Sequence, residues 1–271
     1  FPEAEARFAQ CVVAKDFQYA DFALLRQGGC MSDRGQPAQA AALYQTLGGK
    51  FPKSQYVAAA GLAAGKCLYL AEQFPQARTV LGPLLPQKVP EAAEAAYWTA
   101  RAFLKEKNPA AALQTLDAAI AANPQSPVLP QLVIGRADSI YEMPARRAES
   151  VALYADFAGK FPMDPQVPQA LYMASLAALD VGQLEPARTH AAAFLAKFAA
   201  HELAPEVIFV AAEAELRLRR YPEAAARYAE LLQKFPNGPH LEEAKVRRAL
   251  ATYFQKKYDE AVALITPEIP K

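Results

Sequence analysis

The chain has 271 residues, of which 60 are alanine and only 20 are valine or isoleucine. Because alanine favours helices and β-branched residues favour strands, this composition excludes a large β-sheet. The 29 basic residues are balanced by 28 acidic ones, which argues against a nucleic-acid partner, and a hydrophobic content of 53% excludes a disordered chain.

The beginning of the chain and its longest uncharged stretch bear on its compartment. The sequence opens Phe1-Pro2-Glu3 without an initiator methionine, so we expect a fragment or a processed chain. The uncharged stretch 118–135 contains three prolines, which exclude a continuous apolar helix of the roughly 20 residues that a bilayer requires. We therefore expect no direct membrane span.

The three cysteines follow neither a disulfide framework nor a zinc motif, because their number is odd and their spacing wide. Cys11 comes three residues after Phe8, and we predict it to be a small buried hydrophobic residue. A bridge between Cys11 and Cys30, or between Cys30 and Cys67, stays open for an oxidising compartment.

An internal repeat of about 37 residues runs along the whole sequence. Segments 42–52, 152–162 and 226–236 each begin Ala-x-Tyr and end Lys-Phe-Pro. One small residue per repeat serves as an anchor for the alignment, at intervals of 36, 37, 34, 39, 37, 37 and 37 residues. These anchors are Ala4, Ala40, Ala77, Ala111, Ser150, Ala187, Ala224 and Ala261.

Each interval is predicted to contain two helices. In 221–235 the large apolar residues share one helical face, and the closing Phe-Pro ends the helix because residues before proline avoid the α region. The other helix of this pair is predicted over the preceding residues, 205–220. Pro83 should shorten or kink the helix that opens at Phe74. Repeated helix pairs of this kind form a solenoid, in which each pair is buried against its neighbours.

The pattern resembles the tetratricopeptide repeat (TPR) family. One unit carries the family's small, large, aromatic, alanine and large positions, at Gly65, Leu68, Phe74, Ala77 and Leu81. The resemblance covers essentially all 271 residues, although Ser150 replaces the family's alanine.

The resemblance implies an all-α fold, a right-handed α-solenoid of antiparallel helix pairs. It implies a single array over residues 1–271, with about seven helix pairs plus one extra second-type helix at the N-terminus. The closing Lys-Phe-Pro is similar to bacterial envelope members such as the periplasmic Tol-Pal coordinator and the outer-membrane β-barrel assembly lipoprotein.

The sequence contains no constellation that predicts catalysis. No two of His190, His201 and His240 are three or four residues apart, and none neighbours a cysteine, so a metal site is unsupported. The glycine pairs at 28–29 and 48–49 lack the residues of a phosphate loop or a dinucleotide site. We expect no enzyme activity, no cofactor and no bound metal.

Basic residues cluster at 217–220, 245–248 and 256–257. An anionic groove is one interpretation. The favoured interpretation is a charged helix surface balanced by nearby acidic residues, namely Glu213, Glu215, Glu242 and Glu243.

In TPR arrays the first helix of each pair lines a concave surface, which commonly binds a peptide. Aromatic residues and arginine are the types that anchor interfaces. An alternative is that these aromatics fill the space between neighbouring helices. The family's paired basic residues that clamp a C-terminal carboxylate are not reproduced. Carried onto this sequence, the groove positions are Lys66, Tyr69, Phe103, Tyr172, Phe209, Arg217 and Tyr253.

We therefore predict a non-enzymatic scaffold that binds a protein or peptide partner, in the periplasm or envelope of a bacterium. A cytoplasmic location is the alternative. A second hypothesis is that the chain is the TPR-like arm of a larger complex or protein that processes or exports peptidoglycan or polysaccharide. Direct glycan binding by the aromatic residues is a third.

Overall fold

The computed structural model describes residues 2–268, which contain fifteen α-helices, two short 3₁₀ turns and no β-strand. The predicted all-α solenoid of antiparallel helix pairs is confirmed. The chain divides into two compact units, one up to Ser139 and one from Ile140 onward, and each is described separately below.

The first unit is built from consecutive helices joined by short turns. Its helices are α1 (Pro2–Val13), α2 (Ala20–Asp33), α3 (Pro37–Lys50), α4 (Val57–Leu70), α5 (Phe74–Leu81), α6 (Glu91–Lys105), α7 (Pro109–Ala122) and most of α8 (Leu129–Tyr141).

The second unit has the same construction. After the end of α8 it contains α9 (Arg147–Lys160), α10 (Val167–Asp180), α11 (Leu184–Phe198), α12 (Ala204–Arg217), α13 (Tyr221–Lys234), α14 (Leu241–Phe254) and α15 (Tyr258–Ile265).

The helix ends follow the proline signals in the sequence. Helices α3, α9 and α13 each end at the lysine that precedes Phe-Pro. Helix α5 stops at Leu81, and a 3₁₀ turn over Gly82–Leu84 follows it, as the position of Pro83 predicts. Glu242 and Glu243 lie in the first turn of α14, where the helix dipole favours negative charge.

The turn inside most helix pairs is a Schellman motif. Between α4 and α5, the Gln73 amide donates to the Leu68 carbonyl at 2.9 Å, and the Glu72 amide donates to the Tyr69 carbonyl at 3.0 Å. Glu72 takes a positive φ of 59°. The corresponding residues of five other pairs also have positive φ, namely Gly35, Lys107, Gly182, Arg219 and Lys256. The repeat is therefore visible in the backbone as well as in the sequence.

Six of the eight anchor residues fill the fourth position of a second helix and are buried. Ala40, Ala77, Ser150, Ala187 and Ala224 are all inaccessible to solvent.

Two anchors differ in the structure: Ala4 is exposed on α1, and the anchor of α7 is shifted by one residue. The fourth residue of α7 is Ala112, which is fully buried, whereas Ala111 is partly exposed. The alignment is shifted by one here because Pro109 is the first residue of its helix, while Pro75 and Pro222 are second residues of theirs.

Glycine allows the two helices of a pair to approach closely in two pairs of the first unit. A Cβ atom on Gly28 would lie 2.5 Å from Cε1 of Tyr44, and a Cβ atom on Gly65 would overlap the side chain of Leu81. The two contacts are one repeat apart in the sequence. Alanine takes over this crossing position in α12, where Ala212 is fully buried.

The cysteines are free thiols. Cys30 and Cys67 are buried in the first unit. The prediction of a buried Cys11 holds only in part, because Cys11 is half-buried on α1, a helix that packs mainly on α2.

Candidate functional site

A groove of about 540 Å³ lies among the first helices of the first unit. We call it the α2–α4–α6 groove. Small side chains line part of it, and the exposed Leu70 stands at its edge. Its lining residues are Gly29, Ser32 and Asp33 from α2, Tyr44 from α3, Ala59, Leu62, Ala63, Lys66, Cys67 and Leu70 from α4, and Pro90, Glu91 and Glu94 at the start of α6.

Lys66 and Glu94 form an ion pair across this groove. Lys66 Nζ donates to Glu94 Oε1 at 2.8 Å, and the indole Nε1 of Trp98 donates to the same oxygen at 3.2 Å. Lys66 Nζ also lies 5.6 Å from the centre of the Trp98 ring, within the range of a cation–π interaction. The predicted site residue Lys66 therefore lines the groove, and its ammonium group is already paired with Glu94 of α6.

Tyr69 packs beside the groove but is itself buried. Its ring centre lies 5.1 Å from that of Trp98 and 5.3 Å from that of Phe74. The guanidinium carbon of Arg101 lies 5.3 Å from the Tyr69 ring and 5.5 Å from the Trp98 ring. Tyr69 thus fills the space between helices, while Trp98 and Arg101 are nearby groups that the sequence analysis did not select.

The polar groups at the base of the groove are held in their neutral forms. Burial raises the pKa of the Tyr44 hydroxyl to about 12. Burial also raises the pKa of the Cys67 thiol, whose sulfur lies 3.6 Å from the Ser32 hydroxyl. The base of the groove is therefore uncharged at neutral pH, and its charges lie along the rim.

Phe103 is not part of this groove. The guanidinium carbon of Arg78 lies 4.4 Å from the Phe103 ring centre, so this ring faces α5. Arg78 in turn pairs with Glu106 at 2.7 Å. Positions 94, 98 and 101 share one side of α6, and a step of 100° per residue places position 103 on the opposite side.

Three predicted residues of the second unit lie on α10 and α12. Burial raises the pKa of Tyr172. Phe209 stacks on the imidazole of His240, with ring centres 4.3 Å apart. Arg217 donates to the Leu179 carbonyl at 3.4 Å and lies 3.7 Å from Glu213. Phe209 and Arg217 therefore have partners within their own unit.

Tyr253 belongs to an exposed apolar patch on α14 and α15. Its ring is 52% exposed and lies 5.3 Å from the ring of Tyr258. Phe254 and Val262 are also exposed.

Glu213 has a role that the sequence analysis missed. Its carboxylate accepts a hydrogen bond from the Tyr228 hydroxyl at 2.5 Å and lies 3.4 Å from Arg247. Glu213 does balance two of the basic clusters, through Arg217 and Arg247, but only 4% of the residue is exposed, so it is a buried counter-charge rather than a surface one. The interpretation of the basic clusters as balanced is otherwise supported by ion pairs such as Arg220–Glu215 and Lys245–Glu242.

Residues 2–268 contain no group of three or more His, Cys, Asp or Glu side chains arranged to hold a metal ion. Within the same residues, no helix combines the length and apolar character that crossing a bilayer requires.

Comparison with solved structures reveals similar folds at low sequence identity. PilW, described as a widely conserved type IV pilus biogenesis factor, is 17% identical with a TM-score of 0.64, over 82% of this chain and 97% of PilW. PilF of Pseudomonas aeruginosa is 17% identical with a TM-score of 0.58, over 76% of this chain and 88% of PilF.

A third similar structure is the C-terminal part of a TPR repeat-containing protein from Cytophaga hutchinsonii. It is 14% identical with a TM-score of 0.69, over 90% of this chain and 93% of that one. No curated protein sequence matches the chain.

Two sequence-family models, both described as tetratricopeptide repeat, match the chain. One matches residues 62–127, 172–239 and 209–266, and the other matches residues 22–54. Together they extend over well more than half of the sequence, and TPR repeats support the role of a protein-interaction scaffold. The chain therefore belongs to the tetratricopeptide repeat family.

Proposed function

We propose that this protein is a non-enzymatic scaffold of a bacterial cell envelope, which binds a segment of a partner protein in the α2–α4–α6 groove. The observation that carries the proposal is the groove itself, because first helices from three successive pairs converge on one concave, partly apolar surface. Sites of this kind occur between helices and combine apolar lining with a few polar groups that set orientation.

The shape of the groove suits a short extended or helical segment. Ala59, Ala63 and Gly29 leave room for incoming side chains, and Leu70 is 60% exposed at the edge. Burying Leu70 under a partner would remove apolar surface from water at about 25 cal/mol per Å². Lys66 and Glu94 offer charged hydrogen-bonding groups next to this apolar surface.

The envelope location rests on two lines of support. The closing Lys-Phe-Pro of the repeats resembles envelope members of the family, and the structural neighbour PilW is described as a pilus biogenesis factor. Fractionation of cells that make the protein tests this part separately. Recovery with cytoplasmic markers would favour the cytoplasmic alternative and leave the groove assignment untouched.

Site-specific photo-crosslinking tests the groove directly. A photoreactive amino acid is placed at Ala63, which lines the groove, and in a matched chain at Ala118, which is exposed on α7. We expect position 63 to crosslink to one defined segment of one protein, with the adduct lost in a chain that also carries Leu70→Ser. Equal adducts from both positions, or none from position 63, would reject the groove as the binding surface.

A further inference from the structure

We infer that the partner segment is cationic: it carries lysine or arginine beside its apolar side chains, and these basic groups pair with Asp33 and Glu91. This inference rests on the proposed function, since it specifies what the α2–α4–α6 groove recognises. The observation behind it is the charge along the rim of the groove.

Three carboxylates and one ammonium group line the groove, at Asp33, Glu91, Glu94 and Lys66. Lys66 and Glu94 neutralise one another at 2.8 Å. Among residues 2–268, Asp33 and Glu91 have no ion pair and no side-chain hydrogen bond, so the free charge of the groove is negative.

Some other acidic residues of the same unit, by contrast, have basic partners. Glu106 pairs with Arg78 at 2.7 Å, and Asp117 pairs with Arg136 at 2.6 Å. The carboxylates of the rim are therefore available to a ligand.

The two carboxylates flank α4, one from α2 and one from α6. Asp33 is the last residue of α2, where the carbonyl end of the helix adds partial negative charge and favours a cation. A segment that crosses α4 could place apolar side chains over Ala63 and Leu70 and basic side chains on either side. Glu91 is the first residue of α6, where the helix dipole offsets part of its charge. An acidic segment would still meet two carboxylates that have no ion-pair partner, and the one lysine is already paired.

Selection from a random peptide library tests the chemistry. Peptides displayed on phage are selected on the complete chain and counter-selected on Ala63→Arg, which fills the groove. We expect the peptides that discriminate between the two chains to be enriched in lysine and arginine. Binding of the selected peptides should weaken about threefold for Asp33→Asn or Glu91→Gln, and roughly tenfold for the double variant. It should also weaken with added salt.

The matched control is Glu223→Gln, which removes an exposed carboxylate from α13 and should leave peptide binding unchanged. Discriminating peptides that are neutral or acidic, or that bind the double variant as tightly as the original chain, would overturn the inference while leaving the groove as a binding surface. If no selected peptide distinguishes the original chain from Ala63→Arg, the inference is overturned as well. Crosslinking at position 63 then decides whether the proposed function fails with it.

Discussion

Leu81 occupies the space that a side chain at position 65 would require. A Cβ atom on Gly65 would overlap Cδ2 and Cγ of Leu81, which is completely buried. This contact brings α4 and α5 together beneath the α2–α4–α6 groove, and Gly28 with Tyr44 repeats it one unit earlier. Close approach of paired helices therefore depends on one position per repeat.

Gly65→Ala should destabilise the protein. Overpacking a core costs about 1–3 kcal/mol, and the better helix propensity of alanine returns at most about 1 kcal/mol. Urea denaturation should report a net decrease of up to about 2–3 kcal/mol in the free energy of unfolding. The control is Gly49→Ala on α3, where a Cβ atom meets nothing within 4 Å and the helix should gain stability. An equal response of the two variants would contradict this packing account.

Gly182→Ala should destabilise the second unit through the backbone alone. Gly182 has a φ of 76°, and nothing lies within 4 Å of an added Cβ atom, so the cost is conformational. An alanine in this left-handed region costs about 1–2 kcal/mol. At the equivalent turn residue, Arg219→Gly should be neutral or slightly stabilising. Thermal unfolding of both variants provides the measurement, and a stable Gly182→Ala protein would argue against the Schellman turn at this position.

Tyr228→Phe should change how stability depends on pH. Burial and the neighbouring Glu213 raise the pKa of the Tyr228 hydroxyl far above its ordinary value. Below about pH 10 the hydroxyl is protonated in both states. Above that pH only the unfolded state releases the proton. This residue therefore lowers the free energy of unfolding of the original protein by about 1.4 kcal/mol per pH unit.

At pH 7 the variant should be less stable by about 1–3 kcal/mol, because buried Glu213 loses a donor. Its deficit should shrink above pH 10. Urea titrations at pH 7 and pH 11 measure both effects, and Tyr19→Phe, at an exposed tyrosine, is the control. A deficit that stays constant over this pH range would mean that the Tyr228 hydroxyl titrates normally.

The thiols should differ in reactivity. Cys30 and Cys67 are buried, and burial raises the pKa of the Cys67 thiol, which lowers its thiolate fraction. Alkylation of the native protein at pH 8, followed by mass spectrometry, should modify Cys11 first and Cys67 at least about tenfold more slowly. In urea all three should react at similar rates. Rapid native labelling of Cys67 would indicate that the base of the groove opens.

Local features of the structure could be predicted from the sequence because their causes are local. Phe-Pro ends a helix through contacts within two residues, so the end of α13 at Lys234 follows from sequence. The anchor at Ala112 was missed by one residue, because proline takes either of two positions at a helix start.

The groove could not be predicted in this way, because it joins side chains from separate repeats. Asp33 and Glu91 are 58 positions apart in the sequence, and no periodicity reveals that both remain unpaired. Phe103 was selected by residue type, and its direction depends on the exact register of α6. From the sequence Glu213 resembles a surface charge. It is buried only in the folded chain, where Tyr228 and Arg247 from two other helices contact its carboxylate.

The affinity of the partner segment for groove variants tests the central claim most directly. The segment identified by crosslinking at position 63 is titrated calorimetrically into the original chain and into Leu70→Ser, which alters a residue that is 60% exposed and should leave folding intact. Met163→Ser, at a residue 93% exposed in the second unit, is the control.

We predict that Leu70→Ser weakens binding at least about fivefold, as expected for a contact of more than about 1 kcal/mol, and that Met163→Ser changes it less than twofold. Equal affinity of the segment for the original chain and for Leu70→Ser would contradict the assignment of the α2–α4–α6 groove as the protein-binding surface.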